Sequence, residues 1–357
     1  MKKLFLFAAG ALCLAVACNK NESGVVEGPE KGIEIKVSIN DGSESGAPTR
    51  ALGTTYADES KVNSLQVFVF NGDDREAYRD AGAAMQALIP ATAGERTVWA
   101  VVNAPNLSDV MKLSDLRAAV SNLSDNIRTD DQGAKFIDSF VMTGSKTQEL
   151  VDGGNVPISV KRIVARASIA KISSDFKDYR ENYQVNVKGI YLINVAGGSR
   201  YDVGGEPESW VNKLGHADAS HDALLYDAIS DVIVKNGSPY ENEHAFYPYP
   251  NIHPTSTETP TYEDEWNPRG TMLVIEAEML DGEGNAIKLN ETTGQTVGYY
   301  PISLPAIERN KTYIIDEVCI TRLPGEVPYR PIETGESQVT ITVDEWELGL
   351  NLGTVRI

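Results

Sequence analysis

Two residues stand where chemistry would act on the chain itself: a cysteine at position 18 and an arginine at position 50. Lys2 and Lys3 open a short positive region, and Leu4 to Val16 is almost uninterruptedly apolar. That length suits the hydrophobic region of a signal peptide and is too short to span a bilayer as a helix. The stretch ends in Leu14-Ala15-Val16-Ala17-Cys18, followed at once by polar Asn19-Lys20-Asn21. Small residues before a cysteine match a bacterial lipobox, in which a peptidase cuts before the cysteine and its thiol carries a diacylglycerol. Ala15 stands where leucine is more usual, and an ordinary secretory signal with an incidental cysteine is the alternative. Arg50 closes Asn40 to Arg50, a run of turn formers with no core residue. Such a run is exposed and open to proteases, and Arg50-Ala51 is a trypsin-like site within it. The alternative is a solvated loop arginine that nothing cuts.

Catalytic and metal chemistry find little support. The histidines are His216, His221, His244 and His253. His216, Asp218 and His221 supply ligand types without the closer helical spacing and fourth ligand of a zinc site. Asp281-Gly282-Glu283-Gly284-Asn285 has the look of a calcium loop but lacks the later bidentate glutamate, and reads as a hairpin turn. No nucleophile elbow, phosphate-binding loop or dinucleotide fingerprint occurs. No catalytic, cofactor or metal residue is assigned, and an enzyme is not expected. Tyr240, Tyr247, Tyr249 and Tyr262 cluster in a long polar stretch, where they either bind a glycan or host protein or pack against their own domain.

Composition sets the frame. The 357 residues carry 51 acidic and 32 basic side chains, a formal charge of −19. A nucleic-acid partner needs clustered Lys and Arg, so it is not expected. Of Cys13, Cys18 and Cys319, the first leaves with a signal peptide and the second is used by lipidation. Cys319 is then alone, in the strand-like run Tyr313 to Ile320, and its expected role is that of a buried core residue. A chain this long buries enough apolar surface without disulfides and suggests about two domains.

The elements are mostly strands. Ile33, Ile35, Val37 and Ile39 alternate with Glu34, Lys36 and Ser38, the pattern of a half-buried strand. Ser64 to Phe70 and Arg96 to Val102 are β-branched and aromatic, and strands are expected again at Phe140 to Met142, Val156 to Val160 and Ile163 to Ile172. Helical spacing runs from Leu107 to Leu123, with Ser108 and Ser114 as candidate N-caps. A first domain over 51–175 is expected to end before the charged break Asp178 to Asn182, and a second to cover 176–357. In the second, a strand is expected at Tyr183 to Ile193, a helix at Asp222 to Val234, and a long loop at Asn236 to Arg269. At the end, Val339, Ile341 and Val343 alternate with polar residues, and after Asp344-Glu345 so do Trp346, Leu348, Leu350 and Leu352. The phase break predicts a bend or bulge at Asp344-Glu345.

Several stretches together resemble the FimA-type fimbrillin family of Bacteroidales, the major subunits of surface fimbriae. They are Ala17-Cys18-Asn19-Lys20, Glu59-Ser60-Lys61-Val62 leading into Val67 to Gly72, Gly94-Glu95-Arg96-Thr97, Lys161 to Arg166, Ile307 to Tyr313, and Val343-Asp344-Glu345-Trp346. The resemblance spans nearly the whole chain. It implies a mainly β protein: two transthyretin-like β-sandwich domains with a few short helices. It also implies a signal peptide over 1–17, a lipidated propeptide over 18–50 anchored to the outer membrane through Cys18, and a cut by a trypsin-like surface protease at Arg50-Ala51. The cut would release the strand bearing Ile33, Ile35, Val37 and Ile39 and open a groove. A strand within Val339 to Ile357 of the next subunit would fill it, making a head-to-tail polymer with anchor and tip subunits as further partners. With both a removable first strand and a donor strand, a stalk subunit is expected; a monomeric glycan-binding surface lipoprotein and a tip subunit of the same pilus are the competing readings. Burying four apolar side chains at a two-residue repeat is worth roughly 6 to 12 kcal/mol before entropy costs.

Overall fold

The computed structural model describes residues 26–27, 32–40, 59, 61–256, 260, 262–330, 344–345 and 354–356. Cys18, Arg50, Ala51, Val339, Ile341, Val343, Trp346, Leu348, Leu350 and Leu352 lie outside them. Strands dominate, arranged as stacked sheets in an N-terminal and a C-terminal half.

In the N-terminal half a six-stranded sheet runs in the order Val26–Glu27, Asp74–Asp80, Leu65–Asn71, Gly94–Val102, Met142–Leu150 and Lys161–Arg162. Facing it is a three-stranded sheet of Asn155–Ser159, Ile33–Asn40 and Gln86–Ala91. Leu65 to Phe70, apolar but for Gln66, is buried at every position because both faces of this strand are covered. Leu65, Val67 and Val69 meet Ile35, Val37 and Ile89 of the small sheet. Phe68, Phe70 and Trp99 point the other way, into a core shared with Leu113, Leu116, Phe140 and the C-terminal half.

The C-terminal half pairs Arg166–Ile169 and Ile172–Ser174 with Lys311–Ile315 and Glu317–Ile320, all in parallel. A second sheet orders Tyr226–Lys235, Gln184–Ile193, Met272–Leu280 and Val297–Ser303. By hydrogen bonding, therefore, the chain crosses to the C-terminal sheets after Arg162, earlier than the break near Asp175 that composition indicates. Cys319 is buried at 6% exposure on Glu317–Ile320.

Two helical expectations are corrected. Only Leu113–Ala118 is α-helical in the Leu107 to Leu123 stretch, with N-cap Lys112, and Leu123 opens a short 3-10 turn. Ser108 and Ser114 do not cap; the Ser114 amide and hydroxyl donate to the Asp73 carboxylate at 2.8 and 3.0 Å. Asp222–Leu225 is a single helical turn, after which Tyr226–Lys235 is a strand along Gln184–Ile193. Ile229, Val232, Ile233 and Val234 are β-branched and stiff, and the neighbouring strand edge gives their backbone a ladder that an isolated helix lacks. The long Asn236 to Arg269 stretch is also less open than its polarity indicates, since His244–Phe246 joins a sheet beside Arg166–Ile169.

Candidate functional site

The strand Ile33–Asn40 is the central strand of its sheet. It runs parallel to Asn155–Ser159, with Val37 opposite Val156 and Ile39 opposite Ile158. On its other side it runs antiparallel to Gln86–Ala91, with Ile35 opposite Ile89 and Val37 opposite Ala87. Ile35 and Val37 are fully buried and Ile39 nearly so, whereas Ile33 is half-buried. Glu34 and Lys36 face solvent, so the strand is apolar on one face only. Its ends are fixed by backbone contacts: Gly153 donates to the Glu34 carbonyl at 2.9 Å, Lys36 to Gly154 at 2.9 Å, and Ile39 to Met85 at 3.1 Å.

Without this strand, Asn155–Ser159 and Gln86–Ala91 would border a slot floored by Val67, Val69 and Ala100, with two ladders of unpaired N–H and C=O groups. Unpaired strand edges beside an apolar floor are a strong template for another strand. The geometry thus offers a strand-shaped receptor whose present occupant belongs to the chain's own N-terminal region.

The body begins at a different kind of anchor. Glu59 sits 3.5 Å from Arg166, and the Tyr247 hydroxyl donates to it at 2.8 Å. Its backbone carbonyl accepts from Arg162 Nε at 2.7 Å, and Glu243 completes the set at 2.7 Å from Arg166. Burial works against the Arg166 charge, but the facing Tyr247, Glu243 and Glu59 outweigh it and raise its pKa. Lys61 pairs with Asp138, and Asn103 holds the chain beside it, its Oδ1 accepting from the Asn63 amide at 2.7 Å. Sequence reasoning did not single out Glu59 as an anchor. Its partners stand more than a hundred residues away and have no local signature.

At the other end, Asp344–Glu345 pairs antiparallel with Lys311 and Thr312, and Thr354–Arg356 pairs parallel with Glu317 to Cys319. Both pieces are outermost strands of C-terminal sheets. The residues of the expected donor pattern fall between or before them, outside the described residues.

The other candidates resolve into packing. Tyr247 and Tyr249 are buried, and Tyr249 accepts from Asn126 at 3.1 Å and lies 2.8 Å from the Ser121 hydroxyl. Burial holds the Tyr249 hydroxyl above the ordinary tyrosine range. Tyr240 is half-buried and Tyr262 exposed, so the four do not form one exposed platform. His216 pairs with Asp222 at 2.7 Å and His221 with Asp218 at 2.9 Å. Among the described residues no group of three or more His, Cys, Asp and Glu is arranged to hold a metal. Asp281 Oδ1 accepts from the amides of Glu283 and Asn285, both at 2.9 Å, which closes the turn internally.

Comparison with known proteins points the same way. Residues 33–186 match the family model described as major fimbrial subunit protein (FimA). The major fimbrium subunit FimA type-2 of Porphyromonas gingivalis is 26% identical over 409 aligned positions, covering 98% of each chain. The type-3 subunit of that organism is 24% identical, over 88% of this chain and 85% of its own. In fold, a crystal structure of a fimbrilin from Porphyromonas gingivalis superposes with a TM-score of 0.57 at 17% identity, over 92% of this chain and 98% of that one.

Proposed function

The chain belongs to the FimA-type fimbrillin family, and on that premise we propose that it is the stalk subunit of a surface fimbrium, polymerised by exchange of its first strand. It is a structural fimbrial subunit with a part in adhesion, not an enzyme. The precursor is exported, lipidated at Cys18 and held at the outer membrane. A trypsin-like surface protease then cuts at Arg50-Ala51 and releases the segment that carries Ile33, Ile35, Val37 and Ile39. The vacated slot takes a strand from the C-terminal segment of the next subunit, drawn from Val339, Ile341 and Val343 or from Trp346, Leu348, Leu350 and Leu352.

One observation carries the reading: Ile33–Asn40 is hydrogen-bonded on both sides and gives the core Ile35, Val37 and Ile39. As long as it stays, an incoming strand finds neither free ladder nor empty floor. Cleavage therefore controls assembly without any catalytic residue in the subunit. Main-chain bonds supply affinity, and alternate side chains set register. Slot and donor are different surfaces of one chain, so the contact is head-to-tail and grows an open filament, with anchor and tip subunits at its ends. The Glu59 anchor would hold the new N-terminal segment to the body after the cut, leaving the mature fold intact.

The test is limited trypsin digestion of the chain starting after Cys18, followed by terminal sequencing and electron microscopy. A new N-terminus at Ala51 is expected together with filaments. Arg50→Ala should prevent both, and truncation after Ser337 should abolish filaments while leaving the cut. Clean cleavage at Arg50 with a persistently monomeric product would sink the stalk assignment.

A further inference from the structure

A cavity of about 370 Å³ opens where the edge of the six-stranded sheet meets the C-terminal half, and the strand exchange has no use for it. Among its lining residues are Trp99, Arg117, Ser145, Lys161, Asp202 and Arg309. Two of these groups lack what their chemistry requires. Arg309 donates through Nη2 to the Thr143 hydroxyl at 3.0 Å, to the Thr143 carbonyl at 3.2 Å and to the Lys161 carbonyl, and through Nε to the Arg162 carbonyl at 3.2 Å. Every one of these acceptors is neutral. Among the described residues no carboxylate pairs with this guanidinium, and burial alone pulls its pKa down to about 10. Arg309 is half-buried, and a cation drawn partly out of water without a counter-charge is costly, a cost that an anion would relieve. Trp99 is 5% exposed, and its buried indole N–H has no acceptor. Such orphan donors are rare in folded chains.

The charge pattern around them runs against the rest of the molecule. In a chain of net charge −19, this cavity gathers Arg117, Lys161 and Arg309 against one lining carboxylate, Asp202. Among the described residues Arg309 Nη1 has no acceptor, and a carboxylate accepting from it would form a charge-assisted hydrogen bond. Ser145 and Asp202 add an alcohol and an acceptor suited to hydroxyl groups, and the Trp99 indole adds an apolar wall. The volume is near the lower end of small-molecule sites, which run from roughly 300 to 1,000 Å³. It suits one ring and excludes a folded partner.

We propose that this cavity binds a carboxylate-bearing sugar, such as the acidic residue of a glycan, with the carboxylate on Arg309 and Arg117. The site draws Arg309 from the C-terminal half and Trp99, Ser145 and Lys161 from the N-terminal sheet, so the ligand bridges the two halves. It uses no residue of the released strand or of the donor segment, and its test stands apart from that of strand exchange.

The chain has four tryptophans, so the indole N–H signals of the ¹⁵N-labelled protein can be assigned with Trp99→Phe. Glucuronate should shift the Trp99 signal saturably, while glucose and acetate at the same concentration should not. Arg309→Gln should abolish the response, and Arg117→Ala, on an exposed side chain, should weaken binding roughly tenfold, as expected for a lost charged hydrogen bond. The second variant keeps the test decisive if the first fails to fold. No shift of Trp99 with glucuronate, an equal shift with acetate, or an unchanged affinity in Arg117→Ala would overturn the proposal.

Discussion

The two sheets of the N-terminal half solve the same problem in opposite ways. The strand Leu65–Asn71 of the six-stranded sheet is covered on both faces, so Val67 to Phe70 can be apolar without interruption, and it cannot leave without exposing two cores. The three-stranded sheet is covered on one face only. Its central strand alternates Ile35, Val37 and Ile39 with exposed Glu34 and Lys36. One sheet is scaffold; the other is a cover whose middle strand contacts one core and water. The proposed exchange fits the second kind, because an incoming strand would need only the same spacing of apolar side chains on one face.

Core truncations break this comparison most strongly. Phe68→Ala, at a fully buried position of the large sheet, should cost about 3–5 kcal/mol by urea denaturation both before and after cleavage at Arg50. Ile35→Ala should cost about 2–5 kcal/mol in the uncut chain. If cleavage releases the strand as proposed, filaments grown from cleaved subunits lack Ile35, and that variant should leave their stability unchanged. Equal losses from Ile35→Ala in uncut chain and filament would mean the strand stays in place, and the distinction between scaffold and cover would fall. Glu34→Ala should change the uncut chain by no more than about 0.5 kcal/mol.

Much of this arrangement was legible in the sequence. The two-residue period of Ile33 to Ile39 predicts both the strand and its buried side, since a pleated strand sends alternate side chains to opposite faces. The unbroken run at Val67 to Phe70 marks a strand covered twice. The sequence misled where two periods compete: Asp222 to Val234 has helical spacing, yet its β-branched residues and the edge of Gln184–Ile193 make it a strand beyond Leu225. What could not be read was long-range assembly. Glu59 meets Arg166 and Tyr247, and Arg309 reaches Thr143, only through the packing of the two halves. Nothing in the local spacing of these residues announces it. The proposed cut at Arg50 and the proposed donor residues rest on sequence pattern and on the likeness to fimbrial subunits, since Arg50 and those donor residues lie outside the described residues.

A smaller effect sharpens the comparison at the point where the chain passes from one sheet to the other. Ser159 ends the edge strand of the cover, and Lys161 begins the edge strand of the scaffold. Gly144 lies beneath this crossing, where an added Cβ would stand 2.2 Å from the Ser159 carbonyl oxygen. Backbone cannot give way there as a flexible side chain would. Gly144→Ala should therefore destabilise the chain by about 1–3 kcal/mol through overpacking. Ser145→Ala, one residue on and exposed, should not. If both are silent in urea denaturation, the two sheets are less tightly joined at this edge than their contacts indicate.

The smallest effect separates the two anchors of the N-terminal half by pH. The strand Ile33–Asn40 is held by apolar contacts, whereas Lys61 and Asn63 at the start of the body are held by Asp138. The hydrogen bond from Lys61, aided by that from Asn63, holds the Asp138 carboxyl below its ordinary value of 3.8. A carboxylate with a lowered folded pKa contributes stability above its unfolded value and loses it as pH falls through the folded one. Acid below pH 3.8 should thus loosen the Lys61 to Ser64 anchor while Val37, which has no titrating partner in its core, keeps its protection. Amide exchange in the uncut chain, expressed as protection factors, reads both positions at once. Asp138→Asn should lower protection at Asn63 at neutral pH and remove most of its further decline in acid. If Val37 lost protection in step with Asn63, one cooperative unit would hold both anchors, and the cover would not be separable from the scaffold.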